Sequence, residues 1–517
     1  MSELTVAQHL MAAFHRRGTR RVFGVPGGGS SLDLIAAAEA LGMVFVLARA
    51  ENAAVMMAAA DADLTGAPGV ALSTKGPGLA HAMNGLAHAA LDRAPVALIT
   101  DGFSEALASY VTHQVFDQTA MTSPVVKAHS RLEGEDTADE IEQLIDLMMA
   151  PTRGPVHLEL TGTAARRLVP ERTAMPTAQG GTLPDLVAAH AILSRARRPV
   201  IVAGLEARRA APELIALAEA MGAPVLTSYK AKGVIAESHP QRIGLFTGGA
   251  AEGRAVRDAD LILLAGLDPV ELILQPWPYD LPVLALAEAR HRPQYTTPEV
   301  EAIGPLAPML SALIAEARRS DWTLSEIAEH RDRMRAATGF ATHHAQIGTQ
   351  ADAAQPLTPQ GIVEVAAIAH PGARATVDAG AHMFSATGFW PADAPNDVQI
   401  SNGLASMAFA LPAGIATALA EPNRRCIAFT GDGGLMMCIG ELATAAQYGA
   451  PVTVIVFNDG ALSLIDLKQR QRQMKRAGVF WPRVDFAAIA RGFGCTAWRA
   501  DTVETYAEAL AQAAAIL

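Results

Sequence analysis

The sequence predicts an α/β protein built from three doubly wound parallel-sheet domains. Short apolar runs alternate with Ala- and Leu-rich helical stretches along the whole chain, which is typical of parallel sheets covered by helices on both faces. The 517 residues are too many for one hydrophobic core. Two polar stretches rich in Pro, Gly and Gln, 166–186 and 339–361, interrupt the alternation and are interpreted as linkers. The predicted domains are therefore residues 1–165, 183–338 and 357–517.

Composition excludes several classes of protein. The 41 basic and 52 acidic residues give a net charge of −11 without a strongly basic segment, so nucleic acid is not an expected partner. Cys426, Cys438 and Cys495 are far apart and lack CxxC spacing, which argues against a disulfide framework or a thiolate metal site. The N-terminus carries Glu3 and does not resemble a signal peptide, and the uncharged, Ala-rich run Leu404–Ala420 is short and weakly apolar for a bilayer. We therefore expect a soluble, cytoplasmic protein without a membrane partner.

The two outer domains share one order of elements. Residues 69–102, "GVALSTKGPGLAHAMNGLAHAALDRAPVALITDG", and residues 425–460, "RCIAFTGDGGLMMCIGELATAAQYGAPVTVIVFNDG", both predict a strand, a glycine turn, a helix and a second strand. Each second strand begins at Ala-Pro-Val and is followed by Asp-Gly. A duplicated α/β unit is the simplest interpretation, although the general βαβ pattern would produce part of the likeness. The middle third is also rich in strands but has no comparable loop.

In "CIAFTGDGGLMMCIGEL", an acid lies between glycines at the end of an apolar run. Burying the charge of Asp432 there would be costly without a partner. The glycines allow a ligand to approach the backbone closely, and the free N–H groups that follow suit a phosphate. Only 24 residues separate Gly433 from Asn458 at the end of the next strand. The side chains of Asp432 and Asn458 would therefore both reach the carboxyl edge of the sheet. Mg²⁺ could then join Asp432, Asn458 and a backbone carbonyl near Gly460 to a diphosphate.

This GDG-x24-N pattern, followed by "GELATAAQYGAPVTVIVFND", resembles the diphosphate and Mg²⁺ motif of thiamine-diphosphate enzymes. The segments "VFGVPGGGSSLDLI", "ARAENAAVMMAAADADLTG", "STKGPG" and "SNGLASMAFALPAG" are similar to the acetolactate synthase and 2-oxo acid decarboxylase (benzoylformate decarboxylase-like) branch of that family. The resemblance covers nearly the whole chain. It implies a pyrimidine-binding first domain, a central α/β domain and a third domain that binds the diphosphate and Mg²⁺.

The resemblance also implies roles for individual residues. Glu51 would hydrogen-bond to N1′ of the aminopyrimidine and promote its imino tautomer, unless it is only a solvated acid at a helix end. The carbonyl of Ala405 would hold the 4′-amino group, and Met407 would force the cofactor into its bent form, unless it is plain core. Asp378, Gly380 and His382, in "VDAGAHMF", belong to a loop that lies near the diphosphate in relatives. The other cofactor-binding residues implied are Pro26, Gly27, Gly76, Gly431, Gly433 and Gly434.

Several residues point to the substrate. In "VTHQVFDQTAMTSPVVK", Gln114 takes the position of the glutamine that acetolactate synthases present to the substrate. Its neighbour His113 could shuttle protons, or it could face solvent. Lys468 falls about where acetolactate synthases have a large aromatic residue, and a cation there would favour a substrate with a second anionic group. The alternative for Lys468 is a solvated helix face. Gly28 is a further candidate on the substrate side.

The sequence also departs from the family pattern. Ala50 precedes Glu51 where relatives often have His, and His81 stands where GPGxxN sequences place Asn. Both changes would reshape the pocket near the pyrimidine without removing the activation chemistry. The middle domain lacks the short Arg/Asp-rich stretch that helps acetolactate synthases hold FAD, which argues against an FAD requirement. The chain ends at "AEALAQAAAIL", where relatives normally continue with one more strand and a tail.

The resemblance implies an enzyme that uses thiamine diphosphate and Mg²⁺ to act on a small 2-oxo acid. Relatives combine the acid at Glu51 from one subunit with that at Asp432 from another, so a homodimer is the minimum assembly and a homotetramer is expected. Acetolactate-synthase-like carboligation is the first choice of reaction. The alternatives are a non-ligating decarboxylase of the benzoylformate or phenylpyruvate type, a 2-hydroxyacyl-CoA or oxalyl-CoA lyase, and a catalytically idle regulatory subunit. A nicotinamide- or flavin-binding protein is disfavoured because "GVPGGGS" lacks the GxGxxG spacing.

Overall fold

The computed structural model describes residues 3–172, 181–273, 276–292, 294–337 and 357–516. These residues form two compact units. The first comprises the described parts of 1–178, 378–380 and 404–497, and the second those of 179–377, 381–403 and 498–517. The third predicted domain is thus divided between the two units, and the predicted domain boundaries remain predictions. Most of the second predicted linker, 339–356, lies outside the described residues.

The strands and helices alternate along the chain. In chain order the strands β1 to β18 are Glu3–Thr5, Arg21–Gly24, Val44–Leu47, Gly69–Ser73, Val96–Asp101, His129–Ser130, Val156–Leu160, Leu168–Pro170, Pro199–Ala203, Val225–Thr227, Arg242–Leu245, Leu261–Ala265, Val283–Ala287, Val300–Ile303, Arg374–Val377, Val398–Ile400, Cys426–Gly431 and Val452–Phe457.

The α-helices are Val6–Arg16, Ser30–Ala40, Glu51–Thr65, Pro77–Leu91, Glu105–Ala108, Gln118–Thr122, Thr137–Met149, Gly162–Ala165, Val187–Arg195, Ala211–Met221, Gly253–Arg257, Leu306–Ile314, Leu324–Ala337, Pro359–Ala369, Ala381–Phe389, Ala410–Ala420, Asp432–Cys438, Glu441–Tyr448, Ser463–Gln471, Phe486–Gly492 and Val503–Ile516. Short 3₁₀ turns lie at Ser123–Val125, Leu205–Arg209 and Pro269–Glu271.

The first unit contains a six-stranded parallel sheet of order β3-β2-β4-β5-β7-β6. Its strands β4, β5 and β7 are buried along their whole length, as expected when helices cover both faces. The antiparallel pair of β1 and β8 lies outside this sheet, and β8 falls at the start of the first predicted linker. The first predicted linker therefore begins with a regular strand, and Val169 of this strand packs into the core.

Two helices of this unit pack unusually closely. Helix Glu51–Thr65 is an Ala- and Met-rich segment that ends at Gly66, whose φ of 73° is left-handed. Helix Pro77–Leu91 lies against it at Gly85, where a Cβ would come within 2.5 Å of the Asn52 carbonyl oxygen. Both helices and Ala410–Ala420 contribute to one hydrophobic core. This packing fixes the first turn of helix Glu51–Thr65.

The first unit also holds the paired strands β17 and β18, which run parallel with Gly431 opposite Phe457. Asp432 and Asn458 each follow immediately after these paired residues. Their side chains therefore start from the same edge of the sheet, as the spacing in the sequence predicts.

The second unit contains a six-stranded parallel sheet of order β11-β10-β9-β12-β13-β14 and the parallel pair of β15 and β16. Two hydrophobic clusters cover the faces of the six-stranded sheet. Parallel sheets between helices confirm the predicted α/β class. Over the described ranges of the chain, none of the helices combines the length and the apolar character needed to span a bilayer.

A buried histidine in the first unit makes stability depend on acidity. His157 is fully buried, and its ring nitrogens lie 2.8 Å from Thr100 Oγ1 and 2.9 Å from His129 Nδ1. Burial, and secondarily the charge of His129, lowers the pKa of His157 from 6.5 to about 3. Between these values the unfolded chain binds a proton that the folded chain does not, so the free energy of unfolding falls as the pH falls.

We therefore predict that His157→Gln flattens the acid dependence of unfolding. The slope of unfolding free energy against pH should decrease by up to about 1.4 kcal/mol per pH unit between pH 6 and pH 4, the contribution of one proton. Urea unfolding at several pH values measures the slope, with the partly exposed His190→Gln as control. Identical slopes for the wild type and His157→Gln would contradict this account.

Candidate active site

The glycine turn after β17 holds a buried carboxylate. Asp432 is only 2% exposed, and its Oδ1 and Oδ2 accept the backbone N–H groups of Gly433 at 2.8 Å and Gly460 at 2.7 Å. Burial raises the pKa of Asp432, while the two backbone donors act to lower it. Two hydrogen bonds leave further lone pairs on both oxygens, so the carboxylate can still accept a cation.

Asn458 lies beside this carboxylate at the end of β18. Its Nδ2 donates to the Val484 carbonyl at 2.9 Å, whereas its Oδ1 is buried and has no hydrogen-bond partner among the described residues. A buried oxygen without a partner is costly and is typical of a position that a ligand completes. The Gly460 carbonyl, a predicted metal ligand, accepts the N–H of Trp481 at 3.0 Å and retains a second lone pair. The residues present therefore fit an oxygen-seeking cation.

No set of three or more His, Cys, Asp or Glu side chains in the described ranges is arranged to hold a metal ion. A cation at this edge would accordingly take one carboxylate, one amide and backbone oxygens from the protein. That small donor set leaves coordination positions for a diphosphate, the usual way in which Mg²⁺ is shared.

Asp378 lies beneath the glycine turn. Its Oδ1 accepts the N–H groups of Phe409 and Ala410, both at 2.6 Å, and its Oδ2 accepts the hydroxyl of Thr430 at 2.6 Å. Burial raises the pKa of this fully enclosed carboxyl group. A Cβ on Gly434 would lie 2.3 Å from Asp378 Oδ2, so only glycine fits there. Asp378 thus joins helix Ala410–Ala420 to the turn through its own hydrogen bonds.

The loop before helix Ala410–Ala420 reaches the same turn. The Cε atom of Met407 lies 3.3 Å from the position that a Cβ on Gly433 would occupy. Ala405 has a φ of 53°, a left-handed conformation that residues other than glycine rarely adopt. The structure therefore brings Met407 to the turn. Gly380 belongs to the first unit, whereas His382 is buried in the second.

Glu51, Gln114 and His81 gather around the turn before helix Pro77–Leu91. Glu51 is 14% exposed, and its Oε2 lies 2.7 Å from His81 Nδ1. Its Oε1 lies 3.3 Å from the position of a Cβ on Gly78. On the other side of the turn, a Cβ on Gly76 would lie 2.7 Å from the Gln114 carbonyl oxygen. The Gly-Pro-Gly turn is therefore in contact with both Glu51 and Gln114.

The glycine loop after β2 is held at the end of β5. Asp101 Oδ1 accepts the Ser30 hydroxyl at 2.8 Å, and a Cβ on Gly27 would overlap Asp101 Oδ2 at 1.9 Å. Pro26 and Gly27 are half-buried, whereas Gly28 is exposed with open space around it. This loop consequently presents Gly28 at the surface.

The two basic residues predicted to lie on the substrate side, His113 and Lys468, are exposed. His113 precedes Gln114, whose φ of 61° is left-handed, and Lys468 lies on helix Ser463–Gln471. The basic residues near Lys468 are not all free in solvent, because Arg470 and Arg476 both pair with the buried carboxylate of Asp466. Lys468 itself is exposed.

Sequence analysis did not identify Glu441, which supports the start of helix Glu51–Thr65. It is buried, and its Oε1 accepts the N–H groups of Arg49 at 2.9 Å and Ala50 at 3.0 Å. Its Oε2 accepts the Thr444 hydroxyl at 2.7 Å. Burial raises the pKa of Glu441. Glu441 and Arg49 are 392 positions apart, and no local pattern links them.

Trp481 was also missed. Its ring carbon Cη2 lies 3.3 Å from the position of a Cβ on Gly433, and its N–H donates to Gly460. The Leu462 N–H donates to the Val479 carbonyl at 2.9 Å. The segment after Asn458 therefore folds back so that Trp481 lies against the glycine turn. The only signal was an aromatic pair in "VFWPR".

Three protein-family models, each for one domain of the thiamine pyrophosphate enzymes, match the chain. The N-terminal TPP binding domain matches residues 4–121, the central domain residues 186–313, and the C-terminal TPP binding domain residues 378–516. Together they cover well over half of the sequence. They confirm the predicted resemblance, the order of the three domains and the cofactor class.

Individual proteins agree with this result. "Putative thiamine pyrophosphate-containing protein YdaP" of Bacillus subtilis is 28% identical over 99% of this chain and 90% of its own length. The acetolactate synthase of the same organism is 26% identical over 96% and 88% of the two chains. A thiamine diphosphate-dependent 4-hydroxybenzoylformate decarboxylase from Rhodococcus jostii RHA1 has the same fold, with a TM-score of 0.81, 21% identity, and coverage of 99% and 97%.

Gly434→Ala tests the packing of the turn. The added methyl would overlap Asp378 Oδ2, so we expect a loss of about 1–3 kcal/mol in unfolding free energy and weaker thiamine diphosphate binding. The matched control is Gly492→Ala in helix Phe486–Gly492, where a Cβ meets no atom within 4 Å. Urea unfolding and a cofactor titration measure both effects. A Gly434→Ala protein as stable as the Gly492→Ala protein would contradict the packing described here.

Proposed function

Because the chain belongs to the thiamine pyrophosphate enzyme family, we propose that it uses thiamine diphosphate and Mg²⁺ to form carbon–carbon bonds from a 2-oxo acid, as acetolactate synthases do. The observation that supports this proposal most is the edge of the β17–β18 pair. There a buried carboxylate, Asp432, lies beside the partnerless Oδ1 of Asn458. Such a donor set suits Mg²⁺ with a diphosphate.

The residues at each end of the cofactor would have separate tasks. Asp432 and Asn458 would hold Mg²⁺, and the glycine turn would let the diphosphate approach the backbone. Met407, which contacts this turn, would support the cofactor from the apolar side. When bound, the thiazolium ring supplies the nucleophilic carbon and the electron sink for the reaction. Glu51 would bind the aminopyrimidine ring nitrogen and hold a proton at Oε1.

Gln114 favours carboligation over simple decarboxylation. Its backbone carbonyl oxygen and Cβ lie beside Gly76 of the Gly-Pro-Gly turn that also borders Glu51, and its side chain is exposed there. An amide can orient a second carbonyl compound by hydrogen bonds without donating a proton to the reaction. Similarity to acetolactate synthases over 96% of the chain supports the same choice. Decarboxylation is the second candidate, because the exposed imidazole of His113 next to Gln114 suits a proton donor.

The proposed substrate is a small 2-oxo acid, and the proposed assembly is at least a homodimer. Met437, on the helix that follows the glycine turn, is 60% exposed, which is unusual for a large apolar side chain. A second copy of the chain would cover it. The exposed Lys468 would recognise a second anionic group on the substrate.

Product analysis tests the proposed reaction. The protein is incubated with thiamine diphosphate, Mg²⁺ and pyruvate, and acetolactate is expected. Glu51→Ala should reduce its formation by about 10²–10⁴-fold, the usual contribution of a general acid–base group. Replacement of the exposed Glu39 in the same domain, Glu39→Ala, is the matched control and should leave the rate unchanged.

Each other outcome has a distinct meaning. Acetaldehyde as the sole product would replace carboligation with decarboxylation. A protein that binds the cofactor but does not turn pyruvate over would contradict the proposed substrate and favour dianionic or CoA-linked carbonyl compounds. A protein that does not bind thiamine diphosphate would overturn the proposal.

A further inference from the structure

The carboxylate of Glu51 is held by a neighbouring imidazole. His81 Nδ1 lies 2.7 Å from Glu51 Oε2, within the range of a charge-assisted hydrogen bond. The histidine side chain is 57% exposed and the glutamate side chain 14%. The contact therefore joins an enclosed carboxylate to a ring that solvent can reach.

Close packing of two helices places His81 at this distance. Gly78, His81 and Gly85 are spaced three and four residues apart, so they lie on one face of helix Pro77–Leu91. Beside Gly85, a Cβ would meet the Asn52 carbonyl oxygen at 2.5 Å and Val55 Cβ at 2.7 Å. No side chain separates the two helices at Gly85. His81 lies one helical turn before Gly85, towards the N-terminal ends of both helices.

The two oxygens of Glu51 consequently have different surroundings. Oε2 faces the His81 ring nitrogen, whereas Oε1 lies on the side of Gly78, 3.3 Å from the position that a Cβ on this glycine would occupy. A glutamate side chain has three rotatable bonds, and fixing them costs conformational entropy. A donor on one oxygen selects the orientation in which the other remains available.

We propose that His81 is a positioning residue for Glu51, with Nδ1 holding Oε2 so that Oε1 is presented to the aminopyrimidine of the cofactor. This inference rests on the proposed function, because it specifies how the acid of that site is oriented. His81 acts through Glu51 and is assigned no contact with substrate. The side chain of residue 50, an alanine, has no polar atom with which to share the task.

Two substitutions of His81 test the proposal. His81→Leu removes the donor and keeps a branched side chain of moderate size, whereas His81→Asn can place an amide nitrogen near the position of Nδ1. The first readout is the affinity for thiamine diphosphate in the presence of Mg²⁺, followed by tryptophan fluorescence. The second is the rate of hydrogen–deuterium exchange at C2 of the bound thiazolium ring, measured by NMR after an acid quench. Neither requires a substrate.

We expect His81→Leu to slow the exchange by about tenfold or more, the effect of losing one hydrogen bond to a charged group. Its affinity for the cofactor should stay within about threefold of the wild type, because the diphosphate site is unaltered. His81→Asn should recover most of the exchange rate. His190→Leu, which removes a partly exposed histidine that also pairs with a glutamate, Glu316, should match the wild type.

The possible results separate this inference from the proposed function. Unchanged exchange in His81→Leu would overturn the role of His81 while leaving the proposed function intact. Equal slowing in His81→Leu and His81→Asn would also overturn it, because ring shape and not the hydrogen bond would then matter. A wild-type protein that does not bind thiamine diphosphate would overturn the proposed function, and this inference with it.

Discussion

The burial of one carboxylate between the ends of two parallel strands determines the arrangement of the proposed diphosphate site. Asp432 accepts backbone N–H groups from the turn after β17 and from Gly460 beyond β18, so a single side chain ties both loops together. The cost of burying this charge is offset in part by those donors, and a bound cation would offset the rest. The same cation would also supply a partner for the buried Oδ1 of Asn458, which has no hydrogen bond among the described residues.

A second buried acid, Asp378, keeps the turn in place. It is hydrogen-bonded to the start of helix Ala410–Ala420 and to Thr430, and it leaves no space for a side chain at Gly434. The two carboxylates thus have different tasks, although both are buried and both have raised pKa values. Asp378 is satisfied by protein donors, whereas Asp432 lies beside an oxygen that lacks a partner.

Local pattern predicted the elements of this site but not the contacts between them. The alternation of apolar runs and helices predicted the α/β class, and the spacing from Gly433 to Asn458 predicted a shared sheet edge, because strand pairing follows from chain length and turn chemistry. The support of helix Glu51–Thr65 by Glu441 and the approach of Trp481 to Gly433 were not predictable, since they depend on tertiary packing between distant segments. His81 was noted only as a departure from a family pattern. Its contact with Glu51 depends on the close helix packing at Gly85.

The central claim, that Asp432 and Asn458 hold a Mg²⁺–diphosphate, is tested most directly by calorimetric titration of the metal-free protein. Thiamine diphosphate should bind tightly only when Mg²⁺ is present, thiamine without its diphosphate should bind far more weakly, and Asp432→Ala should abolish the effect of Mg²⁺. Equally tight binding of thiamine diphosphate with and without Mg²⁺, or by the Asp432→Ala protein, would contradict the account.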